Sequence, residues 1–284
     1  MAVLLALASG FLFGAMTVAL LLALGKAPGT ELATLATTGS ALIVALIAFA
    51  CSGESFHGRS LGWFVLAGAL APTASQLLFT WAVREVGASR TSVIVGAAPL
   101  FAVALALAVL GEPLKAPLVV GALLVVCGGG VLVAERGRPE HLRAIGLLIA
   151  AASAAAIGAR DILARWVLNG TSAPPLAALV VTLASGTTLT LGWLLLSRGP
   201  RALSVTGALP FVPVGAVFGI SYVCLFEAYA RGRVTVVSPI VATESLWAVA
   251  LSALLLRQHE LVGRRLALGA VAVVAGGALI GAFR

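Results

Sequence analysis

What this chain of 284 residues lacks narrows its class before any motif is read. Charge is scarce: Lys, Arg, Asp and Glu make up 10% of the residues, while 61% are hydrophobic and the mean hydropathy is +1.13. A soluble fold clothes its apolar core in a polar skin, and so few polar residues cannot supply one. Cysteine is rare too. Cys51, Cys127 and Cys224 lie in or at the ends of apolar segments, without the paired spacing of a zinc site or a disulfide framework, and read as small packing residues. His57, His141 and His259 fall in connections, so no histidine pair on one helical face offers a metal site. There is no His-Glu-x-x-His zinc motif, no Gly-x-Ser-x-Gly elbow and no phosphate-cradling loop. Enzyme chemistry is left without footing, and no cofactor is called for. The net charge of +8 is scattered over many short connections rather than gathered into a basic stripe. That pattern speaks for anchoring at a lipid bilayer and against a nucleic-acid partner.

What the chain has in quantity is long apolar runs. The uncharged stretch from Ala2 to Leu24 is long enough to cross about 30 Å of hydrocarbon at roughly 1.5 Å per residue. A cleaved signal peptide is the alternative, since "ALASG" at 6–10 offers small residues, but no basic region precedes the run and no soluble domain follows it. Similar segments recur near 31–51, 60–83, 91–110, 116–134, 144–168, 174–197, 207–230, 234–256 and 266–283. Short connections rich in Gly, Pro and charge separate them, as at membrane boundaries. The runs are continuously apolar over about twenty residues, whereas barrel strands alternate over about ten. The expectation is an all-α, multi-pass integral membrane protein with ten transmembrane helices.

The ten segments contain a repeat. Between 78–114 and 225–261 a constant offset of 146 carries Ala82 onto Ala228, Ser92 onto Ser238 and Phe101 onto Trp247. Beyond a two-residue slip Glu112 matches Glu260 and Gly121 matches Gly269, while "ASGFLFG" (8–14) matches "ASAAAIG" (152–158) at an offset of 144. The reading is a tandem duplication of five helices, 1–137 and 138–284. Because five is odd, the second copy enters the membrane from the opposite side, giving two inverted five-helix repeats. That architecture belongs to secondary transporters whose halves rock about a midplane site.

The stretch "GAAPLFAVALALAVLGEPL" (96–114) and its echo "ATESLWAVALSALLLRQHEL" (242–261) resemble the "EPVFAALLAWLLLGE" pattern of the ten-helix, EamA-type drug/metabolite transporters. The resemblance covers nearly the whole chain. It implies a central cavity lined by the first, third, fourth, sixth, eighth and ninth segments, with no nucleotide, cofactor or metal, and export as the direction of transport. Each half departs from the pattern differently: Ala98 replaces the motif Glu that Glu244 keeps, and Ser245 replaces the Pro that Pro99 keeps.

Candidate site residues follow from charge inside apolar runs. Arg160 and Asp161 interrupt the sixth segment, just after the alanine-rich "AAASAAAIGA" at 150–159. An Arg or Asp at a helix centre costs about 2.5–3.5 kcal/mol on the insertion scale, so the pair must face protein or water. Small residues let that helix pack closely inside the bundle. Neighbours in a helix point about 100° apart, so Asp161 is expected to pair with Arg165 one turn on, leaving Arg160 to Glu244 or Glu227. A structural ion pair locking the halves is one role for Arg160, and lining the solute pathway is the other. Gln76, Tyr222 and Trp247 share the implied cavity segments and are further solute-binding candidates. Trp63, Trp166 and Trp193 lie near segment ends, where interfacial belts form. Pro72, Pro99, Pro213 and Pro239 interrupt apolar runs and imply kinks or hinges.

The function expected is secondary active transport of a small, amino-acid-like or amphipathic solute, with protons as the coupling ion through Glu244 first and Asp161 second. Burial of Glu244 and a cationic partner act on its charge in opposite directions, which is the basis of a switch. A flippase for lipid-linked groups and a non-transporting accessory or receptor subunit are the alternatives. A bacterial inner (cytoplasmic) membrane is the expected location. Orientation is contested within the sequence. Family resemblance puts both termini in the cytoplasm, which leaves six basic residues inside (Arg59, Lys115, Arg165, Arg231, Arg233, Arg284) against eleven outside, Arg90 among them. The positive-inside rule favours the reverse.

Overall fold

The computed structural model describes residues 1–25, 29–56, 61–98, 144–170, 173–231, 240–255 and 264–283, with isolated positions from 100 to 127 and Val237. Six of its helices are long and apolar enough to cross a membrane: α1 (Ala2–Leu24), α2 (Thr30–Ser52), α3 (Gly62–Val86), α5 (Ile145–Ala164 within Ala144–Gly170), α6 (Pro175–Arg198) and α7 (Val205–Arg231). Shorter helices are α4 (Ala88–Val95), α8 (Glu244–Leu255) and α9 (Arg264–Phe283). Most of the expected segments at 91–110 and 116–134 lies outside the described residues, as do Pro99 and Pro239. α4 begins at Ala88, which puts Arg90 inside a helix rather than in the connection where the hydropathy profile leaves it. Trp63 and Trp193 are exposed near helix ends, whereas nothing is described of the Trp166 side chain. Cys51 and Cys127 are exposed and Cys224 is half-buried, so the first two are not the packing residues that their apolar surroundings suggest.

Proline shapes α3. A prolyl nitrogen cannot donate to the preceding turn, and the residue before it is pushed toward extended geometry. Ala71 accordingly breaks the helix at φ −147°, ψ 121° within the π-type stretch Ala69–Ala74. Thr73 Oγ1 lies 2.8 Å from the Gly68 carbonyl oxygen and 3.1 Å from that of Gly186, offering its hydroxyl to carbonyls at the break. That is how a broken helix is kept tolerable where water is absent. In α7 a 3-10 turn, Leu209–Phe211, precedes the continuous helical stretch Val212–Arg231, so Pro213 stands at the start of that stretch rather than inside it.

Helix contacts come in pairs that exchange the two halves of the chain. α1 packs on α7 and α8; in the other half α5 packs on α3 and α4. α2 packs on α7, and α6 on α3. α2 lies against α6, and α4 against α8. Individual bonds repeat the scheme. Ser9 of α1 and Ser221 of α7 each donate to the other's carbonyl, at 3.0 and 2.9 Å. At the corresponding offsets of 144 and 146, Ser153 of α5 donates to the carbonyl of Ser75 in α3 at 2.9 Å.

α2 and α6 run antiparallel, held at both ends. Arg198 Nε lies 3.2 Å from Glu31 Oε1 at one end. At the other, Glu54 Oε2 accepts from the amides of Leu176 and Ala177, at 3.0 and 3.1 Å. The second contact places a carboxylate on orphan donors at the positive end of the α6 dipole. α7 then lies so close to α2 that a Cβ on Gly215 would meet the Thr37 carbonyl and the Ser40 side chain, and one on Gly219 the Ala41 backbone. Large apolar residues of α1, α2, α6 and α7, including Leu20, Leu179, Leu183, Phe211 and Phe226, fill the core beside this seam. Gly215→Val, measured by thermal unfolding of the detergent-solubilised protein, is expected to lower stability by at least the roughly 1–3 kcal/mol typical of overpacking. An unchanged unfolding temperature would contradict the seam.

Candidate functional site

The polar centre of the bundle is built on the run of small residues in α5. Ala154 and Gly158 are buried in helix contacts, and the next turn carries Arg160, only 4% exposed. A guanidinium so far from water needs partners. It has two. Its central carbon lies 5.3 Å from the centre of the Tyr222 ring in α7. Its Nε lies 3.0 Å from Asp161 Oδ1, an ion pair without hydrogen-bond alignment. Helical spacing suggests that Arg160 and Asp161 do not meet and that Asp161 turns to Arg165; the structure corrects the first point. Cβ directions 100° apart constrain short side chains, whereas the long arginine side chain reaches the carboxylate of its neighbour. The Arg165 side chain lies outside the described residues. Glu227, one suggested partner for Arg160, instead pairs with Arg231 one turn along α7.

Tyr222 stands in an aromatic stack. Phe218 and Phe226 flank it along α7 at 4.7 and 6.2 Å between ring centres. Phe13 of α1 meets it edge to face at 5.4 Å. These contacts hold the ring while its π face meets the guanidinium, a geometry in which cation and ring attract. Tyr229, two turns from Tyr222, is within electrostatic reach of Arg160. Sequence reading singles out Tyr222 but misses Phe13, Phe218, Phe226 and Tyr229. The four-residue spacing of 218, 222 and 226 on one helical face is the signal that was present.

Glu244 opens α8 and is half-buried. It lies within electrostatic range of Asp161, Arg160 and Tyr222, and among the described residues it forms no direct ion pair with Arg160. Its position depends on α1: a Cβ on Gly14 would fall 2.9 Å from the Glu244 carbonyl oxygen and 2.7 Å from Trp247 Cβ. Only a residue without a side chain permits that approach. Trp247 meets Phe11 edge to face at 5.4 Å and stays 39% exposed. It belongs to the α1–α8 seam rather than to the aromatic stack on Tyr222. Gln76 of α3 is buried, and its Nε2 has no hydrogen-bond partner among the described residues. The arrangement therefore sets one cation and two carboxylates beside an aromatic wall, at the junction of α1, α5, α7 and α8. Such a group can receive a solute carrying both charge and apolar surface.

Comparisons with known proteins agree with this architecture. A relative named "Probable terminal-alkyne amino-acid exporter", from Streptantibioticus cattleyicolor, is 29% identical over 118 residues, covering 40% of this chain and 40% of that protein. A solved crystal structure shares the fold with a TM-score of 0.68 at 20% identity, covering 98% of this chain and 94% of the other. The model of the EamA-like transporter family matches residues 1–134 and again 144–282. With two copies of the family unit spanning nearly all its length, the chain belongs to the EamA-like transporter family and is a multi-pass membrane protein.

Proposed function

We propose that this protein is a secondary transporter that exports a small amino-acid-like solute by alternating access across a bacterial cytoplasmic membrane. In this reading ten helices form two inverted five-helix repeats, 1–137 and 138–284, with both termini in the cytoplasm. The observation that carries the reading is the buried Arg160, held on Tyr222 and paired with Asp161, with Glu244 in electrostatic range. Among the described residues of this group the formal charges are one positive and two negative. Glu244, the carboxylate not in contact with Arg160, can take a solute ammonium, and a zwitterion brings a carboxylate for the guanidinium as well, leaving the net charge of the group unchanged. The guanidinium fork suits the solute carboxylate, and Glu244 the ammonium. Gln76 Nε2, buried without a partner among the described residues, supplies a further donor, and the Tyr222 face receives apolar surface. Trp247 borders this route from the α1–α8 seam. The name of the Streptantibioticus relative supports the amino-acid class and the outward direction.

The same imbalance provides for coupling. In the absence of solute a proton on Glu244 balances the group, and solute and proton then compete for one place as the halves rock. Asp161, in contact with Arg160, is the second carboxylate through which coupling runs, and is held more firmly as a counter-ion.

Two measurements check this reading. Neutral amino acids at about 100 times their dissociation constant should stabilise the purified protein by about 2.7 kcal/mol. Arg160→Ala should abolish that stabilisation, while Tyr222→Phe, which keeps the ring, retains most of it; stabilisation surviving in Arg160→Ala would refute the site. In proteoliposomes, wild-type flux should respond to an imposed pH gradient, and Glu244→Gln, of the same shape, should fold and lose the response. A full response in Glu244→Gln would end the coupling proposal and leave the solute site standing.

A further inference from the structure

One bond between helices has no side-chain counterpart that the sequence of the other copy could supply. Ser245 of α8 donates its hydroxyl to the Ser92 carbonyl of α4 across 2.9 Å, and both residues are fully or almost fully buried. α4 follows directly on the Gly87 turn that ends α3, so Ser92 lies close to the face of the bundle where α4 starts. Beside the bond Val93, Val249, Ala270 and Val273 pack together, sealing the meeting of α4, α8 and α9. Space for the hydroxyl comes from Gly96, since a Cβ there would meet Ser245 Oγ.

At the repeat offset of 146, Ser92 corresponds to Ser238, Gly96 to Ala242, and Ser245 to Pro99. The counterpart of the Ser245 bond would run from the side chain of residue 99 to the Ser238 carbonyl. Proline has no side-chain donor, and Ala242 carries the Cβ that Gly96 omits. Contrast this with the serine pairs joining α1 to α7 and α5 to α3, where both copies keep a bond. In an alternating-access cycle built from two repeats, closing one face and closing the other exchange the roles of the halves. A bond available to only one half then favours one closed face.

On that reading of alternating access, we propose that Ser245 is a one-sided latch: its bond to Ser92 closes the α4–α8 seam at the face where α4 starts, with no equivalent at the opposite face. The unoccupied transporter therefore rests closed on the Ser92 side. A buried neutral hydrogen bond of ordinary strength corresponds to a bias of roughly threefold to tenfold in the conformational equilibrium.

The test needs no solute, so its failure is distinct from failure of the transport assignment. With Cys51, Cys127 and Cys224 replaced by alanine, a Val249→Cys reporter is placed in the seam and exposed to a membrane-impermeant maleimide. Ser245→Ala should raise the labelling rate roughly threefold to tenfold, and Ser245→Thr, which keeps the donor, should leave it near the parent value. Gly96→Ala, which crowds out the hydroxyl without removing it, should act like Ser245→Ala and gives a second route if that variant does not fold. Ser9→Ala removes a bond within the α1–α7 pair and should leave labelling unchanged while lowering the unfolding temperature. Equal labelling in the parent, Ser245→Ala and Gly96→Ala overturns the latch. So does a rise in Ser9→Ala as large as that in Ser245→Ala, because general loosening would then account for the effect.

Discussion

A guanidinium buried among membrane helices sets terms that its neighbours must meet. Arg160 cannot face lipid without a cost of about 2.5–3.5 kcal/mol or more, so the surrounding helices enclose it. Small residues on α5 allow close packing, and Tyr222, Asp161 and Glu244 supply π density and negative charge. Phe13, Phe218 and Phe226 keep the tyrosine ring in place. Gly14 lets α8 approach α1 closely enough to bring Glu244 toward the centre. Replacing any one of these alters the surroundings of a charge that has little water to fall back on.

The scaffold meets a second constraint, that polar backbone groups inside hydrocarbon find partners within the protein. Serine and threonine do much of this work. Ser9 and Ser221 bond across one helix pair, Ser153 and Ser75 across its repeat counterpart, and Thr73 serves the break at Pro72. Glu54 completes the start of α6 from the opposite end of α2. Each bond is individually modest, about 0.5–1.5 kcal/mol for a neutral pair. Their value lies in fixing register between apolar helices that would otherwise slide, because lipid offers no hydrophobic reward for one register over another.

Much of this was legible in the sequence, and the rest failed for identifiable reasons. Apolar runs located the long helices because a continuous stretch such as 2–24 has few other uses. The repeat offsets, read from letters alone, align Ser9 with Ser153 and Ser221 with Ser75, whose bonds correspond in the structure. Side-chain partnering was less legible. Helical spacing separates Arg160 from Asp161, but a long flexible side chain is not bound by its Cβ direction. In the sequence Glu227 is open to Arg160 only while Arg231 reads as a loop charge; in the structure Arg231 lies one turn away on the same helix and pairs with it. Arg90 likewise reads as a boundary residue in the sequence, since hydropathy sees the charge and not the helix that starts two residues before it. Trp247 shows the opposite limit: its place in an interior segment did not reveal that it turns toward Phe11.

The two halves differ in sequence at the positions that build the polar centre. Positions equivalent under the two offsets carry Met16 and Arg160, Thr17 and Asp161, Gln76 and Tyr222, Ala98 and Glu244. In each pair the charge or the aromatic ring lies in the second copy. The serine bond that joins α1 to α7, by contrast, has a counterpart joining α5 to α3. A two-copy transporter has to bring equivalent surfaces into alternating closure, so its packing is held to near symmetry, while one solute needs only one binding group. Concentrating the ionisable residues in one copy satisfies both demands. It gathers Arg160, Asp161 and Glu244 into one cluster and leaves Met16 and Ala98, both apolar and buried, free of any charge that would need a partner of its own.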